Sequence, residues 1–580
     1  MSIKLDRKGA LEQIYEQTAS KVVDSAMILS YATRRRRAVL FSVFLLFTVI
    51  ILINRGGPLT KIYRSVDLTE EPCIKHLAKF NQRPFNWPTF IPFLWKDSDE
   101  IIDRVRKLQE FEKCVIQKGA VELEAMDDIQ RKLFPYLNFE AAMNDKLNFW
   151  PKWTRWDRSA YSASMPHFSL LDNSFTHVES VKYNPKTSFW ENWYTSMMQA
   201  NSKGIVISIG DGQVADTIRL IHVLRYLDNT LPIQLVHKGD LSSAKVEELF
   251  KAARERRSDG SPPQELWIVD VKNLLNPAMI HEFKRFSNKW LALLFCSFEK
   301  PILLDADTVP FTKLEEYYDT DQFKKYGTVF FKDRTLTAHM LNRGQRRTLK
   351  RIFDGLLTSS DRQSSADSYY GIQDPIVQKA LERMLKKRQK HIMESGLVAY
   401  DKKKHLFGLL TSLALQFSPL NEYFHGEKEW FWISQLIRGV PFSFHPVEAS
   451  SVGRIEKTSE DEFRVCSVQL SHTEQDGSIL WLNGGLRTCK FDNWDWEYEN
   501  KPSLSSVFSS AEDLRKVYQS PAVLEAVILP EAEIRPWAVT DFCMRYHYCT
   551  YYKENGPGKL ILFNEAKKRK YQKIVETWNR

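Results

Sequence analysis

From Lys203 onward, short apolar runs alternate with longer stretches whose apolar positions recur every three or four residues. The run GIVISIG predicts a strand, Ala215 to Leu227 a helix, PIQLVH a second strand and Lys245 to Arg256 a second helix. ELWIVDV follows as a third strand, Lys284 to Phe298 as a helix and PILLDAD as a fourth strand. Near-continuous apolar strands are those buried on both faces, and helix alternating with strand implies right-handed βαβ units in a mostly parallel sheet. The fold class is therefore α/β. Upstream, Asp97 to Gln117 and Ala120 to Leu133 show helical spacing, whereas Arg83 to Trp95 is rich in proline and aromatics, the pattern of a stem carrying helical pieces.

One segment breaks the amphipathic pattern altogether. Ala38 to Ile53 is apolar without interruption and is preceded by Arg34, Arg35, Arg36 and Arg37. As a helix it would span about 24 Å at about 1.5 Å per residue, close to the ~27 Å of a thin early-secretory bilayer. Four arginines before an all-apolar run argue against a buried soluble helix. The distance from the N-terminus and the lack of a small-residue cleavage site argue against a removed signal peptide. The expectation is a single-pass type II membrane protein: cytosolic tail 1–37, signal anchor 38–54, lumenal stem 55–140 and lumenal catalytic domain 141–580. The shortness of the span points to the Golgi membrane.

Composition sharpens this reading. Hydrophobic residues are 43% and aromatics 13% of 580 residues, far from a disordered chain. The net charge of +10 does not imply nucleic-acid binding, because the tail carries eight Lys and Arg against four Asp and Glu and the other basic runs are scattered. Seven cysteines in an oxidising compartment allow up to three disulfides. Cys466 with Cys489 and Cys543 with Cys549 are the plausible local pairs. Cys296, in the apolar run WLALLFCSF, is the candidate for a buried free thiol.

The chemistry is concentrated at the end of the fourth strand. PILLDADTVPF stops at Asp305 and Asp307, which share one face of an extended chain and emerge where ligands bind in open α/β sheets. Two carboxylates there can hold one Mg²⁺ or Mn²⁺ and leave positions open for substrate phosphates. The same letters fit the opening motif of haloacid-dehalogenase-like phosphatases, and Gly210-Asp211-Gly212 resembles their later acidic motif. In that fold the order is reversed, however, with the nucleophile ending the first strand. A GT-A glycosyltransferase has the observed order: a Rossmann-like half, a metal-binding DxD at its end, then an acceptor half.

The chain resembles the fungal Golgi α-1,3-mannosyltransferases of glycosyltransferase family 71 from about Ser202 to Gly485. The resemblance rests on GIVISIGDGQ, Ile221 to Arg225, Leu231 to Asp240, Lys289-Trp-Leu-Ala-Leu, Leu304 to Asp307, Glu394-Ser-Gly396, HGEKEWFW from His425 to Trp432, Cys466 and Asn483-Gly-Gly485. It implies GDP-mannose as donor, Mn²⁺ as cofactor, and a mannosylated N- or O-linked glycoprotein as acceptor. Nucleic acid is no partner; the Golgi membrane is, and association with other Golgi transferases is compatible with it. An α-linked product from this donor means retention, by double displacement through a carboxylate or by departure and attack on one face within an ion pair. A non-catalytic glycan-binding or scaffolding relative is the alternative of a different class, against which the intact DxD argues.

On this reading Asp307 is the direct metal ligand and Asp305 assists it, with His472 completing the site and His445 as the alternative histidine. Glu427 or Glu429 faces the anomeric carbon, with Glu427 preferred because it lies nearer the His-Gly turn. Glu394 and Gly396 bring backbone close to the transferred sugar. Lys289 reaches a phosphate, and Gly210, Asp211 and Gly212 shape the nucleotide pocket.

Overall fold

The computed structural model describes residues 96–580 apart from 118–128, 140–148, 163, 169–174, 181–183, 185–187, 201, 337–339, 358–371 and 532–536. In chain order, the elements that position the site begin with helix α1, Lys96–Phe111, and two short strands, β1 (Lys152–Arg155) and β2 (Ala160–Tyr161). The alternating segment supplies β3 (Lys203–Ser208), α2 (Val214–Tyr226), β4 (Ile233–His237), α3 (Ser243–Arg254), β5 (Leu266–Asp270), α4 (Asn288–Phe295) and β6 (Lys300–Leu304). Then come β7 (Thr308–Pro310), β8 (Thr328–Lys332), β9 (Met393–Tyr400), α5 (Lys402–Gln416) and α6 (Lys428–Ile437). The last third is mostly strand: β10 (Ser450–Gly453), β11 (Glu462–Ser467), β12 (Leu470–Thr473), β13 (Ile479–Asn483), β14 (Ala526–Leu529), β15 (Tyr548–Lys553) and β16 (Lys559–Leu562).

The main sheet has eight strands in the order β8-β9-β6-β3-β4-β5-β1-β2. All four strands expected from the apolar runs are present and mutually parallel, with Ile205 opposite both Ile233 and Ile302. Alternation explains their composition. Val206 and Leu303 enter one core cluster, while Ile205, Ile207, Ile302 and Leu304 enter the other on the opposite face. The sheet is nevertheless not mostly parallel, because β9 runs against β6, β8 against β9, β1 against β5 and β2 against β1. These flanking strands lie outside the alternating segment, where the pattern gave no parallel signal.

The helix expected over Lys284 to Phe298 is shorter. Two 3₁₀ turns, Ile280–Glu282 and Arg285–Ser287, precede α4, and Cys296 closes it in an extended conformation. Residues assigned to the stem also pack within the domain: Val105, Leu108 and Phe111 of α1 and Phe134, Tyr136 and Leu137 are buried in the same cluster as Trp290 and Phe431. Helical spacing in that region therefore marks part of the folded domain's core rather than a linker. The anchor expected at 38–54 lies outside the described residues, and among those described no helix is long and apolar enough to cross a membrane.

A second, six-stranded antiparallel sheet, β16-β14-β10-β12-β13-β7, begins where the first ends, since β7 follows β6 after only three residues. A smaller four-stranded sheet is built on β11 and β15, in whose register Cys466 faces Cys549. The first of two disulfides between described residues follows from that register. Cys466 bonds Cys549 and Cys489 bonds Cys543, correcting the local pairing expected from sequence. Cys296 is free and buried, as expected.

Candidate active site

Strand β3 has β4 on one side and β6 on the other, so chain direction across the sheet reverses between β3 and β6. Ligands in open α/β sheets bind in the crevice outside such a switch point. Here it brings the loop after β3, Gly210 to Gln213, and the turn after β6, Asp305 to Asp307, to the same edge. Since β9 is antiparallel to β6 and β8 to β9, the start of β9 (Glu394 to Gly396) and the end of β8 (Asp333, Arg334) open onto that edge too.

A cavity of about 400 Å³ lies there, with Asp305, Asp307, Lys289, Glu394 and Glu427 among its lining residues. Lys289 is its hub. Its ammonium sits 2.8 Å from Asp305 Oδ1 and 2.7 Å from Glu427 Oε1, and donates to Ser395 Oγ at 3.0 Å. Ser395 Oγ in turn donates to Glu427 Oε1 at 2.7 Å. Burial alone would lower the Lys289 ammonium, but Asp305 and Glu427 raise it above its ordinary value. Lys289 therefore binds two acidic residues rather than reaching freely for a phosphate, as had been expected.

Asp305 keeps 22% side-chain exposure, and burial pushes it up to about 7. Lys289 pulls it down, while Asp307 and Glu427 push it further up by repulsion. Asp307 is 29% exposed, with Lys490 Nζ 3.6 Å from its Oδ2. Its carbonyl accepts from the N–H groups of Gly484 and Gly485 at 3.1 and 2.8 Å. Those glycines sit at φ +100° and +68°, a left-handed turn after β13 that fixes the second aspartate's backbone. Glu394 Oε1 accepts from the N–H groups of Ser395 and Gly396 at 3.1 and 3.0 Å and from Asn483 Nδ2 at 2.8 Å. Burial and the neighbouring Asp333 raise its carboxyl.

Other assignments shift. A Cβ on Gly396 would lie 2.8 Å from both Thr308 Oγ1 and Trp481, so this glycine admits the protein's own side chains rather than a sugar. Glu429 is fully buried and does not line the cavity: it accepts from Ile392 N at 2.9 Å, Met393 N at 3.3 Å and Trp432 Nε1 at 2.6 Å. It ties α6 to β9. Glu427 is therefore the acidic residue of that loop at the cavity, as preferred from sequence. His472 is buried and stacks on Trp481 at 4.1 Å, with burial holding its imidazole well below the ordinary range. It does not line the cavity, and neither does His445, which stacks on Phe331. A histidine in the centre of an antiparallel sheet, flanked by aromatic rings, packs as an aromatic and supplies no ligand here.

A second cavity of about 860 Å³ shares Lys289, Asp305 and Asp307 with the first and reaches back to Gly212, Gln213 and Asp216. Gly212 has open space where a side chain would stand. Gly210 is extended, with its N–H donated to Gln213 Oε1 at 3.0 Å, and Asp211 Oδ1 accepts from Ser242 N at 2.7 Å. Gly210 and Asp211 thus shape the loop, and Gly212 lines the space.

Sequence reasoning missed the opposite wall. Asp333 accepts from the Lys428 ammonium and lies 3.5 Å from His391 Nδ1 and from Arg334 Nε. Opposing its burial, the Lys428 ammonium, a hydrogen bond with His391 and the Arg334 guanidinium hold its carboxyl well below the usual carboxylate range. The signal was present: TVFFKDR is, like PILLDAD, an apolar strand ending in an acid. Lys428, flanked in sequence by Glu427 and Glu429, carried no comparable signal.

The Mannosyl_trans3 family model, describing mannosyltransferases, matches residues 202–474. A Saccharomyces cerevisiae protein named probable alpha-1,3-mannosyltransferase MNT4 is 43% identical over 525 residues, covering 89% of this chain and 90% of that protein. The alpha-1,3-mannosyltransferase MNT2 of the same yeast is 43% identical over 486 residues, 83% of this chain and 87% of that one. Among solved structures, the mannosyltransferase Ktr4p from S. cerevisiae in complex with GDP aligns with 64% of this chain and 82% of its own at 10% identity and a TM-score of 0.27. That likeness is too distant to argue from.

Proposed function

This chain belongs to the family of yeast α-1,3-mannosyltransferases, and from that premise we propose that it moves mannose from GDP-mannose onto mannose residues of N- or O-linked glycans, with retention at the anomeric carbon. It is a glycosyltransferase. The single observation that carries the finer reading is the meeting of Asp305, Asp307 and Glu427 in one cavity that opens into a second at the strand switch point.

A divalent cation fits this donor set. Asp305 and Asp307 offer hard oxygen ligands, and their mutual repulsion is what a cation between them would relieve. Among the described residues no group of three or more His, Cys, Asp and Glu is arranged to hold a metal. The protein would contribute the two carboxylates, the remaining positions falling to donor phosphates and water, the usual manner for Mg²⁺-like ions. Bound there, Mn²⁺ or Mg²⁺ neutralises charge on the departing nucleoside diphosphate.

The side chains divide the remaining work. Lys289 fixes Asp305 and Glu427 relative to each other, and Ser395 holds the same Glu427 oxygen. Glu427 stabilises positive charge at the anomeric carbon as the sugar becomes oxocarbenium-like. A carboxylate already compensated by an ammonium at 2.7 Å is a weakened nucleophile, which favours departure and attack on one face over a covalent intermediate. Location in the Golgi membrane, with the catalytic domain lumenal, rests on Ala38 to Ile53 and the arginines before it.

The test is a donor profile. The purified chain, an α-mannoside and Mn²⁺ should yield transfer from GDP-mannose and little from other nucleotide sugars, and chelation should stop it. Transfer that survives chelation, or that prefers another donor, refutes the reading.

A further inference from the structure

A third space, about 730 Å³, opens off the catalytic cavity between the segment Ala278–Ser287 and the turn Pro419–Tyr423, and shares Phe286, Phe424 and His425 with that cavity. We propose that this groove binds the acceptor as an extended oligosaccharide, holding the sugars behind the one that is modified, with Phe286 as a stacking platform at its inner end. The proposal rests on the transferase reading above and names the part of the substrate that reading leaves open.

Three observations carry it. The first is the presentation of Phe286. It is 40% exposed, an unusual place for a large apolar ring, and it borders all three spaces. The backbone is bent to put it there: Arg285 stands at φ +52°, a left-handed conformation costly for arginine. Gly426 stands at φ +78°, where a Cβ would come within 2.9 Å of the Phe286 ring. Two adjoining loops therefore accept constraint to keep this ring in place beside His425, with ring centres 5.5 Å apart.

The second is the chemistry of the walls. The nucleotide-side cavity is lined by charged groups such as Lys238, Asp216 and Asp240, suited to an anion and its cation. The groove shares Lys284 and Arg285 with that cavity but adds Phe417, Phe424 and Met279 together with Glu282, Asn421 and Glu422, which the nucleotide side lacks. Asn421 receives Gln416 Nε2 on its oxygen at 2.6 Å and keeps its amide hydrogens for a ligand. The Glu422 and Lys284 side chains stand at the groove. A pyranose has one apolar C–H face and a ring of hydroxyls, and this alternation matches it. The volume lies within the ~300–1,000 Å³ of small-ligand sites.

The third is connectivity. The transferred sugar must sit near Asp305 and Glu427, and the nucleotide fills the space running toward Gly212. An acceptor hydroxyl that reaches the same point needs another way out for the rest of its chain. The groove provides one through Phe286.

The experiment compares methyl α-mannoside with α-linked methyl mannobioside and mannotrioside as acceptors for the purified full-length chain. The wild type should use the trisaccharide at least about tenfold more efficiently in kcat/KM than the monosaccharide. Asn421→Ala combined with Glu422→Ala, and separately Phe286→Ala, should raise KM for the trisaccharide several-fold and shrink that preference, with an unchanged denaturant unfolding transition as the check on folding. Equal use of all three acceptors by the wild type, or variants that lose mono- and trisaccharide alike, would overturn the proposal. Should the wild type transfer to no mannoside, the transferase reading fails on its own. Calorimetric binding of mannotrioside, weakened by Phe286→Ala, would then still support the groove, and absence of binding would refute it.

Discussion

Replacing Lys289 by methionine keeps most of the side chain's length and removes the one ammonium that faces Asp305 and Glu427 together. In the wild type that ammonium lies within 2.8 Å of both carboxylates and is only 8% exposed. Removing one partner of a buried ion pair leaves an uncompensated charge and costs about 3–5 kcal/mol. Asp305 retains 22% exposure, so water offsets part of the cost and about 3 kcal/mol is expected near pH 7. The pH dependence gives a sharper signature. Asp305 lies at about 7 even with Lys289 pulling it down, so without Lys289 it rises further. Between about pH 7 and that higher value the folded variant holds a proton that the folded wild type has released, while the unfolded chains are alike. Stability of the variant therefore falls faster with rising pH, and the gap widens above pH 7 by up to about 1.4 kcal/mol per unit. Denaturant unfolding followed by tryptophan fluorescence at pH 6, 7 and 8.5 reads this directly. A deficit below about 0.5 kcal/mol, or one independent of pH from 7 to 8.5, would refute the ion cluster as the organiser of the site.

Other consequences are simpler to score. Asp307→Ala and Asp307→Asn should both abolish transfer with the unfolding transition intact, because the side chain faces the cavity and loses the charge a divalent cation needs; activity retained in either removes the metal assignment. Glu427→Gln should bind donor nearly normally but turn over at least about a hundredfold more slowly, the usual loss for one electrostatic contact made in the transition state. Glu429→Gln should instead lose about 1–3 kcal/mol of stability, because an amide in place of Oε2 confronts the Trp432 N–H with another donor; reversed phenotypes for these two glutamates would exchange their roles. A C-terminal tag should be protected from protease in sealed vesicles, since the arginines before Ala38 oppose translocation of the tail; a digestible tag overturns the lumenal topology.

How much of this could be read from sequence depended on whether the chemistry left a periodic mark. The four parallel strands did, because burial on both faces makes GIVISIG or PILL a continuous apolar run, and their helices begin and end within a few residues of expectation. The DxD was legible for the same reason: two acids ending such a run have few places to be except a sheet edge. What lay across the sheet was not. Nothing local in TVFFKDR says that β8 flanks β9 and so delivers Asp333 to the edge used by Asp305. The cysteines were paired by proximity in sequence, whereas strand register set Cys466 against Cys549. His472 was assigned by chemistry alone, and its stacking on Trp481 depends on a sheet whose strands are far apart in the chain. Lys289 was found in the right place with the wrong partner, because a lysine in an apolar helix signals a buried counter-charge without saying whose.

The central claim is that this chain forms α-1,3-mannosyl linkages from GDP-mannose through the cavity of Asp305, Asp307 and Glu427. Its most direct test is the product. Purified chain, GDP-mannose, Mn²⁺ and a methyl α-mannoside acceptor should give one disaccharide, whose NMR spectrum shows an α-configured mannose joined at C3 of the acceptor, and no product when Asp307→Asn replaces the wild type. A β-configured product, a linkage at another carbon, or the same product from Asp307→Asn would contradict the account.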